Sequence, residues 1–235
     1  MVLTLNRRRF LHAAGATAIA VQAAEGTTAL AQAPAKPPSY AVKPLPFDPQ
    51  TIKGLSEKLL LSHHENNYTG AVKRLNAIAE QLAALDFAKA PGFTINGLKR
   101  EELIATNSMI LHELYFDGLA GNGEITPSMR EALARDFGSV ERWQAEFNAM
   151  GKALGGGSGW VLLTYSAHDK RLVNQWAPDH TVSLAAGQPI LALDMFEHAY
   201  QMDYGAKAGA YVDAVMANFK WSNAERLYKA AVQRG

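Results

Sequence analysis

The chain has 235 residues, with 23 Lys and Arg against 22 Asp and Glu, and it has no cysteine. With 48% hydrophobic and 19% charged residues it has the composition of a globular protein, not of a disordered or collagen-like one. The near balance of charge argues against a nucleic-acid partner, which needs a basic face. The lack of Cys excludes disulfides, thiolate metal sites, iron–sulfur clusters and a Cys nucleophile, so any metal must be held by His nitrogen and carboxylate oxygen.

Residues 1–33 read as an export leader. Arg7, Arg8 and Arg9 precede Phe10-Leu11, a mildly apolar run from Ala13 to Ala24 follows, and Ala31-Gln32-Ala33 supplies a small-x-small cut site. These are the parts of a signal peptide, and the Arg pair before Phe-Leu resembles a twin-arginine (Tat) signal. The run falls short of the ~20 apolar residues that a bilayer span needs. The expectation is therefore a periplasmic or secreted protein with no stable membrane span after processing. Losing Arg7, Arg8, Arg9 and Glu25 takes the 23 basic and 22 acidic residues to 20 and 21, a net charge of −1.

Residues 34–50 carry Pro34, Pro37, Pro38, Pro44, Pro46 and Pro49 and predict an extended, hydrated arm. From Gly54 to Leu85 apolar residues recur at helical spacing (Leu55, Leu59, Val72, Leu75, Ile78, Ala79, Leu82), which predicts one long helix with an interruption near Thr69-Gly70. Pro91 to Gly97 reads as a break, and Leu98 to Leu119 as a second helix ended by glycines. The two make a helical-hairpin domain over residues 51–125. Thr126-Pro127 starts a third helix, Phe137-Gly138-Ser139 ends it, and Ser139 caps a fourth running to about Ala153. The glycine run 155–159 lacks the Lys-Ser/Thr of a phosphate loop and predicts a turn. Trp160 to Tyr165 and Leu172 to Trp176 predict a hairpin turning through Ala167 to Lys170, and Pro189 to Leu193 a third strand. A closing helix spans Tyr211 to Phe219, and a polar helical tail follows Trp221. The fold class is α+β: a long N-terminal helical hairpin, then an α/β C-terminal domain (126–235) with a small three-stranded antiparallel sheet and helices.

Chemistry is concentrated in histidines. His63 follows Leu59-Leu60-Leu61, and His112 lies mid-helix among Ile110, Leu111, Leu114 and Phe116. Taken singly, such residues are more often satisfied core imidazoles than ligands. Asp194 and His198 are four apart, which places them on one face if helical, or lets them converge if Asp194 closes a strand. Two semi-buried imidazoles on one hairpin, with an Asp and a His from a third segment, suit a first-row transition metal, Fe or Mn above all, although zinc shares the ligand types.

These residues lie in blocks that resemble the iron/manganese superoxide dismutase family. The blocks are Leu61-Ser62-His63-His64 with Val72 and Leu75-Asn76, His112 to Phe116, Gly157-Ser158-Gly159-Trp160, and Asp194-Met195-Phe196-Glu197-His198-Ala199-Tyr200. They come in the family's order, and the resemblance runs from about Leu45 to Tyr228. It implies metal ligands His63, His112, Asp194 and His198, one Fe or Mn ion per subunit, and superoxide as substrate, converted to O2 and H2O2. It further implies a homodimer or tetramer in which Glu197 reaches the partner's ligand histidine, Tyr200 lies near that interface, and Trp160 lines the site. His180 stands roughly where the family hydrogen-bonds metal-bound solvent and so takes a catalytic role in tuning the metal's potential, one that can acquire a pH dependence because histidine titrates near neutral pH.

Several positions depart from the family pattern. Ala71 stands at the family's active-site Tyr, Asn66-Asn67-Tyr68 at its Lys-His-His, Gln201 at an interface Tyr, Phe196 and Leu162 at tryptophans, and Ser108 where some iron members have Gln. Tyr68 is the candidate replacement hydroxyl. The main alternative is an exported metal-binding protein of the same fold with weak or no dismutase activity. A zinc hydrolase with Glu113 or Glu197 as base lacks its H-E-x-x-H motif, because Phe116 takes the second His position. An exported binding or structural module with incidental histidines is the remaining reading.

Overall fold

The computed structural model describes residues 36–234. The leader, with its Arg pair and cut site, lies outside the described residues. Among those described, no helix is long and apolar enough to cross a membrane.

The helical hairpin has the predicted partners but different edges. Ser56 caps α1 (Glu57–Ser62), its hydroxyl accepting from the Leu59 amide. A π-helical turn, His63–Tyr68, follows, and α2 (Thr69–Ala84) continues without a break in direction. The interruption expected at Thr69-Gly70 therefore comes just before it, as a widened turn. α2 buries Val72, Leu75, Ile78 and Ala79 against the second helix. That helix, α3, spans Gly92–Asp117 and so starts before the predicted Leu98. Pro91 sits at its N-cap, where a missing N–H costs nothing, and a single interior glycine such as Gly97 costs only about 1 kcal/mol.

The arm is extended but docked. The side-chain amide of Asn76 in α2 holds both the Tyr40 N–H (2.8 Å) and the Tyr40 carbonyl (2.9 Å). Tyr40, Leu45 and Phe47 pack on the core.

α4 (Pro127–Phe137) and α5 (Val140–Ala153) follow as expected, with the Ser139 hydroxyl accepting from the Arg142 amide at the start of α5. The sheet comprises β1 (Trp160–Ser166), β2 (Arg171–Ala177) and β3 (Gly187–Asp194), all antiparallel in the order β2-β1-β3. β1 is the central strand, and all seven of its residues are buried, as a strand covered on both faces must be. The β1–β3 register shifts between Leu163 and Thr164, beside Pro189 on the edge strand, where a residue without an N–H is tolerated. Four short helical segments close the chain: a 3-10 turn (Glu197–Ala199), α6 (Gln201–Tyr204), α7 (Ala208–Ala217) and α8 (Trp221–Arg234). One apolar cluster runs from Ile52 to Ala231 and takes in both the hairpin and the sheet.

Candidate metal centre

Each ligand candidate is delivered by a different local device. His63 opens the π turn, a geometry that recurs at functional sites, and its ring is wedged among Tyr115, Phe116, His112 and His198 at centroid distances of 4.8–5.2 Å. His112 sits on the facing helix, and its Nδ1–H donates to the Ser108 carbonyl at 2.6 Å. That bond fixes the tautomer and leaves the Nε2 lone pair facing the cluster.

Asp194 closes β3 opposite Trp160. Of the two geometries open for Asp194 and His198, the strand end is the one adopted, with His198 in the following 3-10 turn. The Phe196 amide donates to Asp194 Oδ1 at 2.8 Å, so Oδ2 is the oxygen turned to the histidines. Gly159 holds this corner. Its φ of +134° suits only glycine, a Cβ there would lie 2.3 Å from the Ala177 carbonyl oxygen, and its own carbonyl accepts from the Met195 amide at 2.8 Å.

The outcome is one cluster. Asp194 Oδ2 lies 3.1 Å from His63 Nε2, 3.6 Å from His112 Nε2 and 3.4 Å from His198 Nε2, and one ligand atom from each residue lies within 4.8 Å of the others. His63, His112 and Asp194 are buried. Burial lowers the pKa of His63, against the pull of Asp194, and takes that of His112 down to about 3, with His63 adding to the effect. Burial pushes the Asp194 carboxyl up, but the imidazoles of His198 and His63 beside it outweigh that and hold the group below the ordinary carboxylate range. These contacts are therefore not ordinary ion pairs: His63 and His112 are neutral and face an ionised carboxylate. His112 Nε2 and His198 Nε2 are buried with no hydrogen-bond partner. Buried orphan nitrogens aimed at one point beside a carboxylate are costly unless a cation joins them. Three imidazoles and one carboxylate fit Fe or Mn, so the donor set passes the chemical test.

The structure gathers some of the remaining candidates here and not others. Trp160 is buried against His112 at 5.2 Å, and its indole N–H donates to His180 Nδ1 at 3.0 Å. His180 is half-buried, stacks on Phe196 at 4.7 Å, and lies 6.1 Å from the His112 ring. Burial lowers its pKa. Glu197 is exposed, and Tyr200 is buried on Tyr211 with its hydroxyl near the Gly156 amide. Tyr68 does not join the cluster. It lies five residues past His63 on the widened turn, and its hydroxyl donates to Glu113 at 3.0 Å and accepts the Lys43 amide at 2.9 Å. Phe116 stands between it and His63.

Two supports escaped sequence reading. The Ser108 carbonyl that anchors His112 is a backbone group and leaves no residue signature. Asn107, which binds the His180 carbonyl at 2.6 Å, acts 73 positions away.

Comparison with known proteins agrees with this geometry. The profile described as "Iron/manganese superoxide dismutases, C-terminal domain" matches residues 125–227. The "Superoxide dismutase [Fe]" of Cupriavidus metallidurans is 68% identical over 194 residues, covering 83% of this chain and 98% of that protein. "Superoxide dismutase [Mn] 1" of Halobacterium salinarum is 34% identical over 207 residues, covering 83% and 98%, and "Superoxide dismutase [Fe]" of Aquifex aeolicus is 32% identical over 193, covering 79% and 89%. A His3Asp cluster on a helical hairpin and a three-stranded sheet, matched by relatives along most of its length, places this chain in the iron/manganese superoxide dismutase family.

Proposed function

We propose that the protein disproportionates superoxide to O2 and H2O2 at an Fe or Mn ion held by His63, His112, Asp194 and His198. The observation that carries this is the convergence of those four side chains, three of them with an orphaned buried nitrogen, in a chain 68% identical to a superoxide dismutase. A bound ion of either metal supplies the one-electron chemistry. That relative is named for iron, which favours iron, while the donor set accepts both.

The chain's residues do the rest. Asp194 contributes the set's one negative charge. Ser108 keeps the His112 Nδ1 proton away from the centre. The reaction consumes two protons per H2O2. With Nδ1 of His180 occupied by the Trp160 indole N–H, its neutral ring carries the proton on Nε2, a donor beside the ligands. A cleft of about 280 Å3 is lined by Asn67, Ala71, Arg74, Ser108 and His180 among others. We read it as the approach for the superoxide anion, with Ala71 leaving it open.

Two finer readings belong here. The exposed Glu197 flanks His198, whose side chain is 28% exposed, which supports a homodimer in which Glu197 of each subunit orients the other's ligand. Residues 1–33 support Tat export to the periplasm; replacing Arg7 and Arg8 by Lys would then trap the precursor inside the cell.

The deciding experiment reconstitutes the protein separately with Fe and Mn and measures metal stoichiometry and dismutation together. Stoichiometric metal with family-like turnover is the expected result. Metal without turnover would favour the weakly active metal-binding protein, to which the remote hydroxyl of Tyr68 points. No metal would end the proposal.

A further inference from the structure

The residue that follows each hairpin ligand turns outward to grip the same point of the arm. His64 follows His63, and its Nε2–H donates to the Lys43 carbonyl at 2.8 Å. Glu113 follows His112, and its Oε2 pairs with Lys43 Nζ. Tyr68 completes the set, its hydroxyl accepting the Lys43 amide and donating to Glu113 Oε1. Lys43 is thus held at its N–H, its carbonyl and its ammonium, from both ligand-bearing helices. The space beside the clasp is only about 20 Å3, room for about one water.

The parts differ in weight. Lys43 is 67% exposed at its side chain, so its ion pair with Glu113 is screened and contributes little. The Tyr68 side chain is 1% exposed and makes two hydrogen bonds, so losing its hydroxyl leaves groups unpaired in a dry setting. Phe116 connects the clasp to the ligands: its ring lies 6.4 Å from Tyr68, 5.6 Å from His64, 5.1 Å from His63 and 6.4 Å from His112.

We propose that Tyr68, with His64 and Glu113, clasps the arm across the two ligand helices and thereby sets the rate at which the metal leaves. His63, His112 and Asp194 are buried, so releasing the ion requires the hairpin side of the centre to loosen, and the arm ties the helices carrying His63 and His112 together at the level of those ligands. Tyr68 is then a positioning residue acting through Phe116, not a proton donor to the reaction. This rests on the metal centre proposed above.

The test loads the full chain with Mn2+, adds excess chelator and follows released manganese against time. Tyr68→Phe should accelerate release about tenfold, and a variant lacking residues 36–43 should accelerate it more. Lys43→Met should change it less than about twofold. Ile78→Val, a buried change elsewhere in α2, serves as the stability control: it should lower the thermal midpoint without speeding release. Unchanged release in Tyr68→Phe and in the deletion would overturn the clasp, as would equal acceleration in Ile78→Val, which would mark a general loss of stability. If one of the two clasp variants fails to fold, the other decides. Wild-type protein that takes up neither manganese nor iron would overturn the centre and the clasp with it; if it takes up iron alone, the same release is followed with Fe2+.

Discussion

The two halves of the metal centre are held differently. His112, from the hairpin, is fixed within its own helix: the Ser108 carbonyl takes its outer N–H, and its ring is buried. His198, from the turn after β3, stacks on Phe196 at 5.5 Å but keeps an exposed edge, and the acidic residue before it points to solvent. His112 is anchored within one chain, whereas His198 has no such anchor among the described residues, one that Glu197 of a second copy would supply in the proposed dimer. Metal affinity should then depend on association through one half and on helix packing through the other.

The largest effect tests both halves together. Asp194→Ala removes the one charge shared by all three imidazoles and should leave less than about a tenth of an ion per chain after gel filtration, by elemental analysis. Retention near one ion would show that the histidines suffice. Next, Glu197→Ala should weaken metal affinity about 10- to 100-fold and shift the protein toward monomer in sedimentation. Ser108→Ala, which keeps the backbone carbonyl, should change neither. If Glu197→Ala also changes neither, the contrast between the halves disappears.

A third prediction concerns acid. In the metal-free protein the His112 pKa is lowered to about 3, below the ~6.5 of an unfolded histidine. Between those values the unfolded chain binds more protons, so folded stability falls as pH drops from about 6.5 toward 3, at up to ~1.4 kcal/mol per pH unit for this group. His63, also lowered by burial, adds to the same slope. The depressed Asp194 carboxyl extends the loss below the ordinary carboxylate range. Urea denaturation of the apo protein across this range measures it, and His112→Gln should flatten the slope. The smallest expected effect is His180→Ala, with metal content intact and turnover reduced about tenfold; loss of metal instead would place His180 among the groups that hold the ion.

The sequence was most legible where chemistry and periodicity coincide. His63, His112, Asp194 and His198 stand out because a rare residue type falls in an apolar frame, and the strands are readable because β1 opens on the apolar run Trp160-Val161-Leu162-Leu163 and the β1–β2 turn is polar. The arm was less legible. Its prolines describe extension but not docking, which depends on Asn76, His64 and Tyr68 far along the chain. The early start of α3 was hidden because Gly92 and Gly97 look like breakers when taken alone. Tyr68 was ambiguous for a geometrical reason: ideal helical phase cannot locate a side chain on the far side of a π turn.

That turn has a consequence for anyone editing or aligning this protein. A π turn houses one residue more than an ideal helical turn would, so His63–Tyr68 takes in an extra residue while leaving α1 and α2 nearly in phase. Deleting one residue inside it would restore a regular helix with His63 and the apolar face of α2 close to their present relation, whereas winding all six residues as regular helix would rotate that face by about 100° relative to His63. A chain one residue shorter here would therefore keep its ligand histidine in register, and an aligner penalising one-residue gaps would pair the wrong residues on one side of the turn.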